Sequence, residues 1–209
     1  MRIIKLFVFF ISALAFSQQS PEPLSASETT QFKENVAKSS DGLKSLSSDF
    51  FQSKYIQLMQ GAAVSSGKLF YKVPNVLKWE YSSPYNYHIL FKENKLFIND
   101  DGDKSVSNLK SNKLFEKLVN LISGSINGNL LADKKNYDVT YFKTGNFKMA
   151  LIVPKDPAMR QMFREIILVF NNEYIVTSVK LIEDSGDFTE IYFKNIRINQ
   201  KLEDSVFEN

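Results

Sequence analysis

The sequence predicts a mainly β protein of the α+β kind: one curled antiparallel sheet with one or two helices filling its concave side. Three observations carry that expectation. Roughly ten or eleven short runs alternate apolar with polar residues and are separated by Pro, Asn, Asp and Gly. Only two stretches, residues 28–44 and 111–123, place their apolar residues at helical spacing instead. No internal repeat or linker divides the chain after residue 30, and antiparallel sheets with this many strands curl rather than stay flat.

The elements follow in order. Residues 1–17 have the form of a secretory signal: Arg2 and Lys5 precede an apolar run over 6–14, and Ala15 and Ser17 stand where a signal peptidase reads small side chains. The apolar run is shorter than the ~20 residues that span a bilayer. Residues 18–30, rich in Ser, Pro and Thr, read as a mobile leader, leaving 31–209 as a single domain. In the first helix Phe32, Val36 and Leu43 share a face, and Asp41-Gly42 stops it. A strand over 46–59, a loop of small residues at 61–66 and a strand over 67–73 come next. Pro74-Asn75 turns the chain into 77–81, and Ser82-Ser83-Pro84 turns it again. Strands at 85–91, 95–99 and 104–109 precede the second helix, which is capped by Ser111 and stopped by Gly124. Residues 125–135 are irregular. Strands resume at 137–143, 148–153, 165–171, 175–183 and 188–199. Residues 154–164 form a bulky loop or helical turn holding Met159, Met162 and Phe163, and Val206-Phe207 is read as a last edge strand.

Composition excludes much chemistry. There is no cysteine, which removes disulfides, thiol catalysis and Cys/His zinc sites. The single histidine, His88, sits mid-strand between Tyr87 and Ile89, where a structural role is the usual one. No serine occupies a Gly-x-Ser-x-Gly elbow. The run 100–103, Asp-Asp-Gly-Asp, lacks the spacing and closing glutamate of a calcium loop and reads as a turn. Net charge falls from +3 to +1 once Arg2 and Lys5 are removed, and lysines are interspersed with acids, so no nucleic-acid surface is expected. No enzyme, metal or cofactor is therefore expected. Four of the 18 phenylalanines leave with the first 17 residues, so 14 Phe and nine Tyr remain. Such content requires a bulky interior or an apolar cavity.

Candidate binding residues come from the alternation over 67–91. Leu69, Tyr71, Val73, Leu77, Trp79, Tyr81, Tyr87, Ile89 and Phe91 are expected on one apolar wall. That wall suits a plain core or a ligand cavity. The helix face Leu114, Phe115, Leu118, Leu121 and Ile122 suits a lid, and Met159, Met162 and Phe163 an adaptable rim.

Three motifs carry a resemblance. Asp49–Gln52 reads D-F-x-Q, Gly67–Pro84 reads G-x-L-x-Y-x-x-P-x-x-L-K-W-E-Y-x-x-P, and Thr189–Asn195 reads T-E-I-Y-F-x-N. Together with the order of elements they resemble the periplasmic outer-membrane lipoprotein carriers, the LolA-like family. The resemblance implies an unclosed β-barrel under a helical lid. It implies a monomeric carrier that receives acylated lipoproteins from an inner-membrane ABC-type extractor and delivers them to the outer membrane or to an acceptor there. An envelope sensor or lipid shuttle of the same fold is the alternative. The family commonly places an arginine before the first proline of the second motif, where it latches the lid; here that residue is Val73.

Overall fold

The computed structural model describes residues 20–108, 123, 124, 126 and 129–209. The expected signal, and the lid face at Leu114, Phe115, Leu118, Leu121 and Ile122, lie outside the described residues.

Among the described residues, twelve strands form one antiparallel sheet: β1 (Glu22–Pro23), β2 (Ser45–Tyr55), β3 (Ala62–Lys72), β4 (Val76–Ser83), β5 (Tyr87–Lys92), β6 (Lys95–Asp100), β7 (Asp103–Asn108), β8 (Tyr137–Thr144), β9 (Phe147–Pro154), β10 (Glu165–Phe170), β11 (Val176–Ile182) and β12 (Phe188–Ile198). Their spatial order is β1-β8-β9-β10-β11-β12-β2-β3-β4-β5-β6-β7. The end strands β1 and β7 do not pair, so the curled sheet is an unclosed barrel. Sequential strands are neighbours except at two places: β1 pairs with β8, and β12 pairs with β2 over nine register positions. That pairing joins two meanders into one surface.

Helix α1 (Ala26–Asp41) lies on the concave side, and short helices α2 (Asn129–Ala132) and α3 (Pro157–Met162) follow later in the chain. The N-terminus of α1 is a reciprocal capping box. The Ser25 hydroxyl accepts from the Glu28 N–H, and Glu28 accepts from the Ser25 N–H at 2.8 Å. Lys143 on β8 donates to the other Glu28 oxygen at 2.8 Å, and these bonds hold the Glu28 carboxyl down to about 2. Residues 20–30 are thus not a mobile leader: β1 pairs with β8, and the Leu24 N–H donates to Tyr141 O. The Ser- and Thr-rich composition there serves a cap and a first helical turn. Leu43 is buried, but beyond the helix end.

Two further expectations change. The small residues at 62–66 belong to β3, because β2 offers unbroken ladder partners from Tyr55 to Phe51 that set the backbone whatever the side chains. Residues Asp204–Phe207 form a 3-10 turn rather than an edge strand. The turn lies on the convex face, where Lys72 donates to Asp204 and His88 bonds Asn209. Phe207, Leu90 and Lys78 are buried on that face.

Candidate apolar cavity

The wall is best understood as rows running across the strands. Register places Leu46, Tyr71, Leu77, Phe91 and Leu96 side by side on β2 to β6. The next row is Ser48, Leu69, Trp79, Ile89 and Ile98, and the third is Phe50, Gly67, Tyr81, Tyr87 and Asp100. All three face the concave side, because alternate residues of a strand share a face. The first row is packed: no member is more than 6% exposed, and only Leu46 reaches the cavity. The second row opens onto a cavity of about 230 Å³.

Of the nine residues expected on the wall, Leu69, Trp79, Tyr81 and Ile89 line this cavity. Tyr71, Leu77 and Phe91 share their face but are packed solid in the first row, and the Tyr71 hydroxyl donates to Pro74 O. Tyr87 sits beside Tyr81, ring centroids 6.1 Å apart, off the lining. Val73 leaves the sheet after β3 and is 45% exposed, so it lines nothing. Alternation assigns a face; depth along the strand decides which residues meet the void. Val73 ties its segment down through the backbone alone, its N–H donating to Lys44 O at 3.0 Å.

The opposite wall was not anticipated. Val176, Val179 and Leu181 of β11 and Ile191, Phe193 and Ile196 of β12 form it, with Gln52 and Leu46 from β2 and Ile126 and Ile175 beside them. These runs alternate as visibly as 67–91, but only the β12–β2 pairing brings them opposite Trp79. Of the expected rim, Phe163 lines the cavity, whereas Met159 is 1% exposed and belongs to the core. The Asp156 carboxylate accepts from the Met159 N–H and starts α3, which fixes that methionine inward.

Packing and electrostatics keep the wall apolar. Trp79 lies against Phe50, centroids 4.4 Å apart, and Phe50 meets Tyr81 edge-on at 5.2 Å. Burial pushes the Tyr81 hydroxyl up, only partly offset by its bond to Gln52 and the nearby Trp79 indole. His88 points to the convex side, where burial and then Lys78 push its ring down. Among the described residues, no cluster of three or more His, Asp or Glu could hold a metal ion, and no helix is long and apolar enough to cross a membrane.

An outer-membrane lipoprotein carrier protein from Azotobacter vinelandii is 21% identical over 208 residues, covering 100% of this chain and 94% of that protein. A crystal structure of a LolA superfamily protein from Nitrosomonas europaea is 10% identical with a TM-score of 0.45, covering 85% of this chain and 97% of the other. That of the lipoprotein LppX from Mycobacterium tuberculosis is 8% identical with a TM-score of 0.48, covering 86% and 99%. Residues 41–209 match the family model described as outer membrane lipoprotein carrier protein LolA. The chain belongs to that family of lipoprotein carriers.

Proposed function

We propose that this protein works in the periplasm, sheltering the acyl chains of lipoproteins in the cavity between β2–β5 and β11–β12 while they pass from the inner to the outer membrane. An ABC-type extractor would load it, and an outer-membrane acceptor or the membrane itself would unload it. The observation that carries this reading is the apolar cavity of about 230 Å³, walled from both halves of the sheet, in a member of a carrier family. Each methylene sheltered from water contributes roughly 0.8 kcal/mol, so acyl chains need such a surface to cross an aqueous space. A void that stays apolar favours hydrocarbon over water, because water there lacks the two to four polar partners it needs.

The test is to purify the protein from the periplasm and identify what accompanies it by mass spectrometry, alongside binding of a synthetic triacylated lipopeptide. Lipoproteins should copurify, and Ile89→Glu and Val176→Glu should lose both cargo and lipopeptide. Both positions line the cavity yet are only half-buried, so the variants should unfold near the wild-type temperature. Copurifying free lipid without lipoprotein would favour a lipid shuttle. Failure of the wild type to bind the lipopeptide would overturn the reading.

A further inference from the structure

The cavity wall contains one polar pair that its packing does not need. Besides Trp79 and Tyr81, the lining includes only two polar side chains among the described residues, Ser48 and Gln52. The Ser48 hydroxyl is committed, lying 2.8 Å from Asp49 O and 2.9 Å from Lys194 O. The Trp79 Nε1 is buried without a well-formed hydrogen bond. Gln52 differs from both. Its Oε1 accepts from the Tyr81 hydroxyl at 3.2 Å, while its amide nitrogen has no side-chain or backbone partner among the described residues.

The placement follows from the sheet. Gln52 stands on β2 two residues beyond Phe50, and Tyr81 lies two strands away on β4. Between them, at the third-row position of β3, is Gly67. With no side chain there, the Tyr81 ring crosses β3 to reach both Phe50 and Gln52. Gln52 and Tyr81 are only half-buried, so the amide nitrogen can face the cavity without the full cost of a buried unpaired donor. Tyr81 satisfies the oxygen of the amide and leaves its two N–H donors for something else.

We propose that Gln52, positioned by Tyr81, is a carbonyl-binding subsite: its amide N–H donates to the ester or amide carbonyl that heads an acyl chain lying in the cavity. This rests on the acyl-chain reading above and specifies the ligand further. The apolar wall takes hydrocarbon of any origin, and the Gln52 donor selects chains that end in a carbonyl and sets how deep each one sits. The aspartate, phenylalanine and glutamine of the D-F-x-Q motif then divide their work by face. Phe50 and Gln52 point inward, and Asp49 points outward to accept from Asn195 at 2.7 Å.

The experiment compares a diacylated lipopeptide with its dialkyl-ether analogue of equal chain length, which lacks the carbonyls, as competitors for a bound fluorescent fatty-acyl probe. Wild type should prefer the ester by about fivefold, the worth of one net neutral hydrogen bond. Gln52→Leu should bind both ligands at the ether's affinity. Gln52→Glu separates the subsite from a merely structural role, because it still accepts from Tyr81 but has no N–H to give; it too should lose the preference. Tyr81→Phe, which frees the amide to turn, should lose part of it. Equal wild-type affinity for the two ligands, or a preference kept in Gln52→Glu, overturns the subsite and leaves the carrier reading standing. Binding of neither ligand overturns both.

Discussion

Gly67 offers the sharpest test of the wall. It occupies a bulge where the β3–β4 register shifts between Ser66 and Gly67. A Cβ built on it would come within 2.8 Å of both the Glu80 carbonyl carbon and the Tyr81 Cα, and would collide with the Glu80 carbonyl oxygen. All three are backbone atoms, so no side chain can rotate away. Ordinary contact needs 3.4 Å, so the 2.8 Å contacts alone require β4 to move by about 0.6 Å, and the collision with the Glu80 oxygen requires more. Inserting one methyl into a tight site costs about 1–3 kcal/mol, and a backbone obstacle argues for the upper end. At about 3 kcal/mol, a protein of this size loses roughly 6–12 °C in Tm. The assay is urea and thermal unfolding of Gly67→Ala followed by fluorescence of Trp79, the only tryptophan, which packs against Phe50. The control is Gly42→Ala: nothing lies within 4 Å of its added Cβ and its backbone is right-handed helical, so it should stay within about 0.5 kcal/mol of wild type. A Gly67→Ala protein that unfolds at the wild-type midpoint would refute the close approach of β3 and β4.

Three further outcomes are expected. In Leu77→Glu, a carboxylate enters the solid first row at a site 4% exposed, so the variant should lose several kcal/mol in urea unfolding, whereas Ile89→Glu should keep its fold and lose binding. The Glu28 carboxyl sits near 2 when folded against an ordinary 4.5, so its contribution is present above pH 4.5 and is lost as pH falls toward 2. Unfolding midpoints across that window should drop further for wild type than for Glu28→Gln. Phe207→Ala removes a ring that is 4% exposed on the convex face and should cost about 3 kcal/mol by thermal unfolding without changing lipopeptide affinity.

Much of the fold was legible because alternation is a local signal. The run 67–81 announces its inward residues directly, and Asn94, Asp101 and Gly186 adopt the positive φ that turn residues tolerate. The β3 start at Ala62 was hidden because its small side chains state no preference; β2 decides it. The site was half legible. Leu69, Trp79, Tyr81 and Ile89 could be found from their own strands, but Val179, Ile191 and Phe193 become cavity wall only through the β12–β2 seam, across 140 residues of sequence. Gln52 was legible only as the last residue of the D-F-x-Q motif; its place on the cavity wall was not, since a glutamine on a half-buried strand looks like solvent-facing sequence until Tyr81 is placed beside it. Tyr71, Leu77 and Phe91 show the reverse error, with the right face and the wrong depth.

Among the described residues, α1 covers one half of the concave face and not the cavity. Its buried residues, Phe32 and Val36, serve the β8–β10 side: Phe32 meets Tyr141 at 5.6 Å and Phe170 edge-on at 5.1 Å, and Tyr174 lies 5.9 Å away. Asn35 donates to the Tyr174 hydroxyl and Ser39 to Glu173 O, holding the helix over that half. There Ala150, Ile152, Ile166 and Leu168 are fully buried, and the interior is solid. Across the seam, β2 to β5 face β11 and β12, and α1 lends none of its side chains to the lining. With only Phe32 and Val36 buried, α1 packs on one side of the sheet, and Trp79, Tyr81 and Phe193 line the cavity on the other. The chain thus places a solid core under α1 and, beside it, an apolar wall that lines the cavity.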